Sequence, residues 1–290
     1  MKVKITLIVL CLSLNGALAQ TSNDSTTFKK TAWEKKTVSK GVTWLHFHFK
    51  DKQLFKANEN INILKTKLNN SKIQFAFDDA EGDSVILTSQ LAKRNQAIAA
   101  INGSFFDTKK GGAVDFIKIN KTTLDTSKLT KNKIAEHQQS AILIQNNQIS
   151  IAHATDSSDV GWEQKLNADN VMVTGPLLIF DGKDTPLSKS AFNDNRHPRS
   201  CACITKDKFL ILMVIDGRTP QSQGVSLPEL RQLLGWLNCK DAVNLDGGGS
   251  TALYIEGQPE AGIVNMPCDN KLFDHLGERK VSNVLYLKKK

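Results

Sequence analysis

The chain lacks the features that define several large functional classes. It has no disordered tail, no collagen-like repeat and no internal repeat, and its 40% hydrophobic and 23% charged residues are those of an ordinary globular protein. No Pro-, Gly- or Ser-rich linker divides it, so 290 residues read as one principal domain with a sizeable core. One apolar run stands out, Ile5 to Leu14, and its 10 residues fall short of the roughly 20 needed to cross a bilayer. The excess of 38 Lys+Arg over 29 Asp+Glu gives +9, but the basic residues are scattered. With neither a cationic stripe nor a nucleic-acid-binding motif, nucleic acid is excluded as a partner. Zinc is disfavoured, because no CxxC or HxxxH accompanies the cysteines.

The apolar run lies between a basic start, MKVK, and a small-x-small site at Ala17-Leu18-Ala19. That is the pattern of a secretory signal peptide over residues 1–19. The protein is expected in the periplasm or secreted, not embedded in a membrane, with cleavage near Ala19. Loss of Lys2 and Lys4 leaves 36 − 29 = +7. Chemistry outside the cytoplasm runs without supplied ATP or NAD(P)H, which favours a hydrolase, a binding protein or a wall component. Of the five cysteines, Cys11 leaves with the signal; Cys201, Cys203, Cys239 and Cys268 allow two disulfides in three connectivities. A Cys201–Cys203 bridge is disfavoured by strand geometry, and buried free thiols are the competing reading.

Residues 20–40 are polar and read as a leader with little core. The main domain spans 41–290. Val42 to Phe49 alternates as a strand does, with His46 and His48 on one face. Further strands are expected over 60–68, 73–77, 96–101, 171–179, 242–245, 251–256 and 282–287. Asn146-Asn147 and Lys206-Asp207-Lys208 mark hairpins. Thr88 or Ser89 can cap a helix reaching Arg94, and 226–237 is the clearest helix. The fold class is α+β: strand-rich mixed sheets with a few packed helices. The acidic turn 78–83 can hold Ca²⁺, although its spacing is not that of an EF-hand, and no cofactor is required.

The densest chemical signal is Asn244-Leu245-Asp246-Gly247-Gly248-Gly249-Ser250-Thr251. A buried strand delivers a carboxylate, then three glycines whose amides can form an anion-binding nest, then two hydroxyls. It is not a P-loop, since no Gly-Lys-Ser/Thr follows. Asp246 is the first candidate acid, base or ligand. Asp216, at the end of the apolar strand before Gly217-Arg218, is the second. Glu229 is the third, although Ser226 three residues earlier makes a capping box that explains it without catalysis. Arg196, Arg199 and Arg218 can grip an anion through forked hydrogen bonds. Asn102 and Gly103 end a buried strand as Asn244 does and point to the same pocket edge.

INGSFFD (101–107), RHPRS (196–200), VIDGR (214–218), SLPEL (226–230), NLDGGGSTALY (244–254) and ERKVSN (278–283) occur in this order. Together they resemble the bacterial branch of the phosphodiester glycosidase family from about Gly41 onward. Ser104 stands where Gly is commoner, and Lys280 and Ser282 where Pro and Ala are commoner. The resemblance implies hydrolysis of a sugar-1-phosphodiester, such as a GlcNAc-1-phosphodiester, at the C1–O bond. Asp246 or Asp216 would activate water or stabilise the sugar cation. The arginines and the Gly247, Gly248 and Gly249 amides would neutralise the departing phosphate. Asn102, Asn244, Ser250 and Thr251 would orient oxygens. The competing expectations are a phosphodiesterase that cleaves P–O and a non-catalytic module that binds anionic glycans.

Overall fold

The computed structural model describes residues 23–129 and 132–290. The stretch read as a signal peptide lies outside the described residues.

Helix α1 covers 23–30. An antiparallel meander follows, β1 (Glu34–Ser39), β2 (Val42–Leu54) and β3 (Ala57–Lys67). Next come β4 (Ile73–Asp79), β5 (Ile86–Leu87), α2 (Thr88–Arg94) and β6 (Ala99–Asn102). Two hairpins lie in the middle of the chain: β7 (Ile117–Ile119) with β8 (Thr122–Asp125), and β9 (Ser140–Gln145) with β10 (Gln148–His153). The second turns through Asn146 and Asn147, both at positive φ as the Asn-Asn pair predicts. Then follow β11 (Asn170–Val173), β12 (Leu177–Phe180), β13 (Lys183–Asp184) and α3 (Ala191–Asp194). The C-terminal third holds β14 (Arg199–Thr205), β15 (Phe209–Ile215), α4 (Leu227–Trp236), β16 (Cys239–Asn244), β17 (Leu253–Ile255), β18 (Lys280–Val281) and β19 (Asn283–Lys289).

The largest sheet runs β1-β2-β3-β15-β14-β16-β12-β13. Its near-continuous apolar strand β15 (FLILMVI) is explained by cover on both faces. Leu210, Leu212 and Val214 face a core shared with the smaller sheets, β10-β9-β11-β7-β8 and β17-β6-β19-β4. Ile211, Met213 and Ile215 pack under Leu227, Leu230, Leu233 and Leu234 of α4. The result is the expected strand-rich α+β fold, with antiparallel pairing throughout the described residues. No helix among them is long and apolar enough to cross a membrane.

Three local expectations change. Residues 23–40 of the expected leader contribute core after all: β1 pairs with β2, and Phe28 is buried against Phe49, Trp33 and Trp236. Two aromatic rings in a polar stretch suffice to dock it. Helix α2 has Leu87 at its N-cap, because the Ser89 hydroxyl donates to Glu278 at 2.7 Å instead. Of the cysteine connectivities, Cys203–Cys239 is formed between β14 and β16, while Cys201 and Cys268 are free and buried.

Candidate active site

The site is built where strand ends of two sheets meet. β16 ends at Asn244, and the chain turns through Leu245 and Asp246 into a single helical turn, Gly248–Ser250. Asn102, the last residue of β6, is fully buried and donates its amide to the Asp246 carbonyl at 2.6 Å. Its Oδ1 accepts from the Ser200 hydroxyl at 2.6 Å and from the Ala252 amide at 3.2 Å. The Asp246 amide donates to the Gly103 carbonyl at 3.0 Å. Asn102 and Gly103 therefore set the position of Asp246 by backbone contacts. A Cβ at Gly103 would overlap Asn283, so close packing explains that glycine.

The three glycines give way to neighbours rather than presenting a nest. A Cβ on Gly247 would meet the Pro198 carbonyl at 2.7 Å, one on Gly248 the Arg218 guanidinium at 3.0 Å, and one on Gly249 the Asp269 and Arg279 side chains. Gly248 also sits at φ +60°, where glycine is favoured. The amide of Gly247 donates to the Asp246 carboxylate at 2.9 Å and that of Gly248 to Pro198 at 2.9 Å. The expected phosphate-binding role of these two amides is thus replaced: they fix the turn, and the missing side chains let two arginines close on it.

Asp246 is half-buried, and its carboxyl is pushed up to about 6. Loss of water is the main cause, opposed by the nearby Ser250 hydroxyl, the Gly247 amide and the charge of Arg279; Asp115 adds a further upward push. The Ser250 hydroxyl, the Thr251 hydroxyl and Asn244 Oδ1 are buried without a hydrogen-bond partner among the described residues. The Asn244 amide holds the turn through the Gly175 and Leu245 carbonyls, at 2.8 and 2.6 Å.

The other two candidate carboxylates have structural partners. Asp216 is buried and accepts from Asn60 at 2.7 Å, Asn265 at 2.8 Å and the Met266 amide at 3.0 Å. Asn265 in turn donates to the Thr251 carbonyl at 3.0 Å and accepts from the Leu253 amide, so Asp216 anchors the segment after the glycines. Glu229 closes the capping box of α4 and pairs with Arg196 at 2.6 Å. Arg196 also donates to the Phe55 carbonyl at 2.7 Å. Arg196 and Glu229 thus satisfy each other as a pair. Arg199 is fully buried and bonds the carbonyls of Val225, Phe192 and Asn195, with its guanidinium 4.7 Å from the Phe192 ring centre. Burial and the charge of Arg218 lower its pKa to about 10. Arg218, exposed and at φ +65°, is the one expected arginine that borders the glycine turn.

Three further groups complete the site, and local sequence pattern did not single them out. Arg279 pairs with Asp269, its Nε donating to Oδ2 at 2.8 Å, beside Gly249. His137 Nε2 lies 3.3 Å from Asp115 Oδ1, with Asp115 fully buried. Burial favours the neutral imidazole, but the hydrogen bond and charge of Asp115, with Asp246 and Glu136, raise the His137 pKa overall. Burial raises Asp115 against the pull of His137. Arg279 stands in the quoted ERKVSN block, a signal that existed. Asp115 and His137 stand in segments with no motif and meet only because β7 and β9 share a sheet with β11 between them.

His46 and His48 have ordinary partners, Asn60 and the Gln221 carbonyl, each at 2.8 Å. Asp78 of the acidic turn pairs with Arg94 at 2.6 Å. Among the described residues no three His, Cys, Asp or Glu side chains group as a metal cage.

The site in hand is an antiparallel α+β scaffold that brings a carboxylate, Asp246, within the electrostatic reach of Arg279 and the Asp115–His137 pair, with Arg218 at the glycine turn. The same fold is seen in a hypothetical protein from Synechocystis (TM-score 0.65, 16% identity, covering 90% of this chain and 64% of that one). It is seen also in the zebrafish N-acetylglucosamine-1-phosphodiester alpha-N-acetylglucosaminidase catalytic domain, auto-inhibited by its pro-peptide (TM-score 0.64, 19% identity, covering 90% and 89%). A curated relative, the SPbeta prophage-derived uncharacterized protein YomE of Bacillus subtilis (strain 168), is 30% identical over 93 residues. That match spans 31% of this chain and 14% of the relative. The phosphodiester glycosidase family model matches residues 95–288, and the chain belongs to that family.

Proposed function

We propose that the protein is an exported hydrolase that cleaves the C1–O bond of a sugar-1-phosphodiester, with a GlcNAc-1-phosphodiester as the first substrate to try. The carrying observation is Asp246, whose backbone is fixed by Asn102 and whose carboxyl feels the charges of Arg279 and Asp115 and acts in turn on His137. Family membership and the activity named for the zebrafish relative support the substrate class.

In this reading the C1–O bond breaks, its electron pair stays on the bridging oxygen, and a phosphomonoester leaves. The oxygen of water joins C1, and its proton passes to a carboxylate. Asp246 in its ionised form takes that proton or stabilises the cationic sugar carbon. Arg218 and Arg279 offset the negative charge growing on the phosphate, where a single well-placed donor can be worth roughly 3–4 kcal/mol. His137, with Asp115 as its charge partner, adds a third cation.

Hydrolysis in ¹⁸O-water tests the reading. Label in the released sugar supports C1–O cleavage, whereas label in the phosphate overturns it in favour of a phosphodiesterase. Saturable glycan binding with no turnover of any sugar-1-phosphodiester would overturn catalysis altogether.

A further inference from the structure

His137, which feels the charge of Asp246, also lines a cavity of about 280 Å³. It sits just below the roughly 300 Å³ at which pockets for drug-sized ligands begin, and so suits a single ring rather than an oligomer. Phe105, His137 and Phe192 wall it, and Pro176 closes one side. The Phe105 ring centre is 4.9 Å from that of His137 and 5.9 Å from that of Phe192, at interplanar angles of 55° and 62°. Three rings thus form a corner. Phe192 is 38% exposed, so its ring is open to a ligand in the cavity.

The cavity is tied to Asp246 through hydrogen bonds and charge. Phe105 lies two residues beyond Gly103, which bonds the Asp246 amide. His137 feels the charge of Asp246. Pro176 follows Gly175, whose carbonyl holds Asn244.

Its polar end is pre-set. The Glu136 carboxylate lines the cavity and accepts from the Ser188 amide at 2.8 Å, the Ser188 hydroxyl at 2.5 Å and the Asn193 amide at 3.0 Å. Three donors fix its orientation, so it can accept hydrogen bonds from hydroxyls at little entropic cost. Among the described residues no Lys or Arg lines this cavity, and the cation that does, His137, is paired with Asp115, whereas Arg218 and Arg279 border the glycine turn. A fixed carboxylate repels phosphate, and apolar ring faces with hydroxyl acceptors at one end match the amphipathic faces of a pyranose.

We infer that the cavity walled by Phe105, His137 and Phe192 is the glycosyl subsite, which holds an uncharged pyranose with its hydroxyls on Glu136. This rests on the function proposed above and adds an orientation. The sugar lies against the aromatic corner, the phosphate lies beside Gly248, Gly249, Arg218 and Arg279, and the C1–O bond spans Asp246 and His137.

The test uses the full-length mature protein with Phe192→Ala and Glu136→Gln, and circular dichroism to confirm folding. Phe192 is surface-accessible, so its truncation leaves the core intact. Free N-acetylglucosamine and glucose are titrated by NMR, and inorganic phosphate is titrated as a competitive inhibitor. Both variants are expected to raise KM for a GlcNAc-1-phosphodiester about tenfold, with a smaller change in kcat, and to weaken free-sugar binding alike. The inhibition constant for phosphate should move less than twofold. Wild-type KM and wild-type sugar binding in both variants would overturn the subsite while leaving the hydrolase reading intact. Absence of turnover by the unmodified protein, with sugar binding still lost in Phe192→Ala, would overturn the hydrolase reading and support the subsite.

Discussion

The side-chain amide of Asn102 donates to the backbone carbonyl of Asp246 at 2.6 Å, although the two residues are 144 positions apart. The asparagine that ends one buried strand sets the carboxylate that follows another. Both strand ends are rigid, so the carboxylate is aimed before any substrate arrives.

Asp246→Asn removes the charge and keeps the shape. The expected result is a loss of kcat on the order of 10²–10³-fold, read by steady-state hydrolysis of a GlcNAc-1-phosphodiester, with little change in thermal midpoint. Asn102→Ala should lower kcat as well, but should also lower the midpoint, because Ser200 and the Ala252 amide lose their shared acceptor. Near-wild-type turnover by Asp246→Asn would remove it from the mechanism.

The pH profile follows from the same carboxylate. With its pKa raised to about 6, Asp246 is ionised above that value and protonated below it. A reaction that needs the ionised form should therefore show kcat/KM falling tenfold per pH unit below about 6. His137, whose pKa is raised, should set an alkaline limb above the ordinary imidazole range, and His137→Gln should abolish that limb alone. A flat profile between pH 4 and 7 would contradict the assignment of Asp246.

Arginines separate into two groups by partner. Arg279→Ala and Arg218→Ala should each lower kcat/KM by about 10- to 100-fold, and should weaken inhibition by inorganic phosphate. Arg196→Ala breaks the pair with the Glu229 carboxylate and the bond to Phe55. Both side chains keep some solvent, so the expected loss is about 1–2 kcal/mol of stability rather than catalysis. Thermal denaturation alongside kinetics tells the groups apart.

Glu59 is fully buried; one carboxylate oxygen accepts from the Gly224 amide at 3.0 Å and the other has no partner among the described residues. Burial, against the pull of Arg196, pushes its pKa up from 4.5 to about 9. The folded protein then holds a proton that the unfolded chain releases above pH 4.5. Stability from this group is highest below pH 4.5 and declines as pH rises toward 9. Glu59→Gln should remove that decline, stabilising the protein by roughly 3 kcal/mol at pH 7 and by almost nothing at pH 4. Equal stabilisation at both pH values in urea melts would refute the shift.

The Cys203–Cys239 disulfide closes a loop with a sequence separation of 36. Its removal as Cys203→Ala/Cys239→Ala should lower stability by roughly 3–4 kcal/mol on the chain-entropy account. Dithiothreitol should lower the midpoint of the parent protein and leave that of the double variant unchanged.

Much of the scaffold was legible in the chain. Apolar alternation located β2, a continuous apolar run located β15, Asn146-Asn147 marked a hairpin, and Ser226 with Glu229 marked the start of α4. These are signals of local geometry, written within a few residues. NLDGGGST likewise announced a site, because a strand, a carboxylate and three missing side chains lie in one short segment.

The roles within the site were not local. Glu229 and Arg196 looked chemical but satisfy each other, Asp216 anchors Asn265, and Asp115 with His137 carried no motif at all. Sequence alone determined the family and the strand-rich class, and it singled out Asp246 as the first candidate carboxylate. Only the tertiary structure decided which charges are spent on folding and which remain beside Asp246. A charge is neutralised by whatever lies within a few ångströms of it, and those neighbours come from strands far apart in the chain.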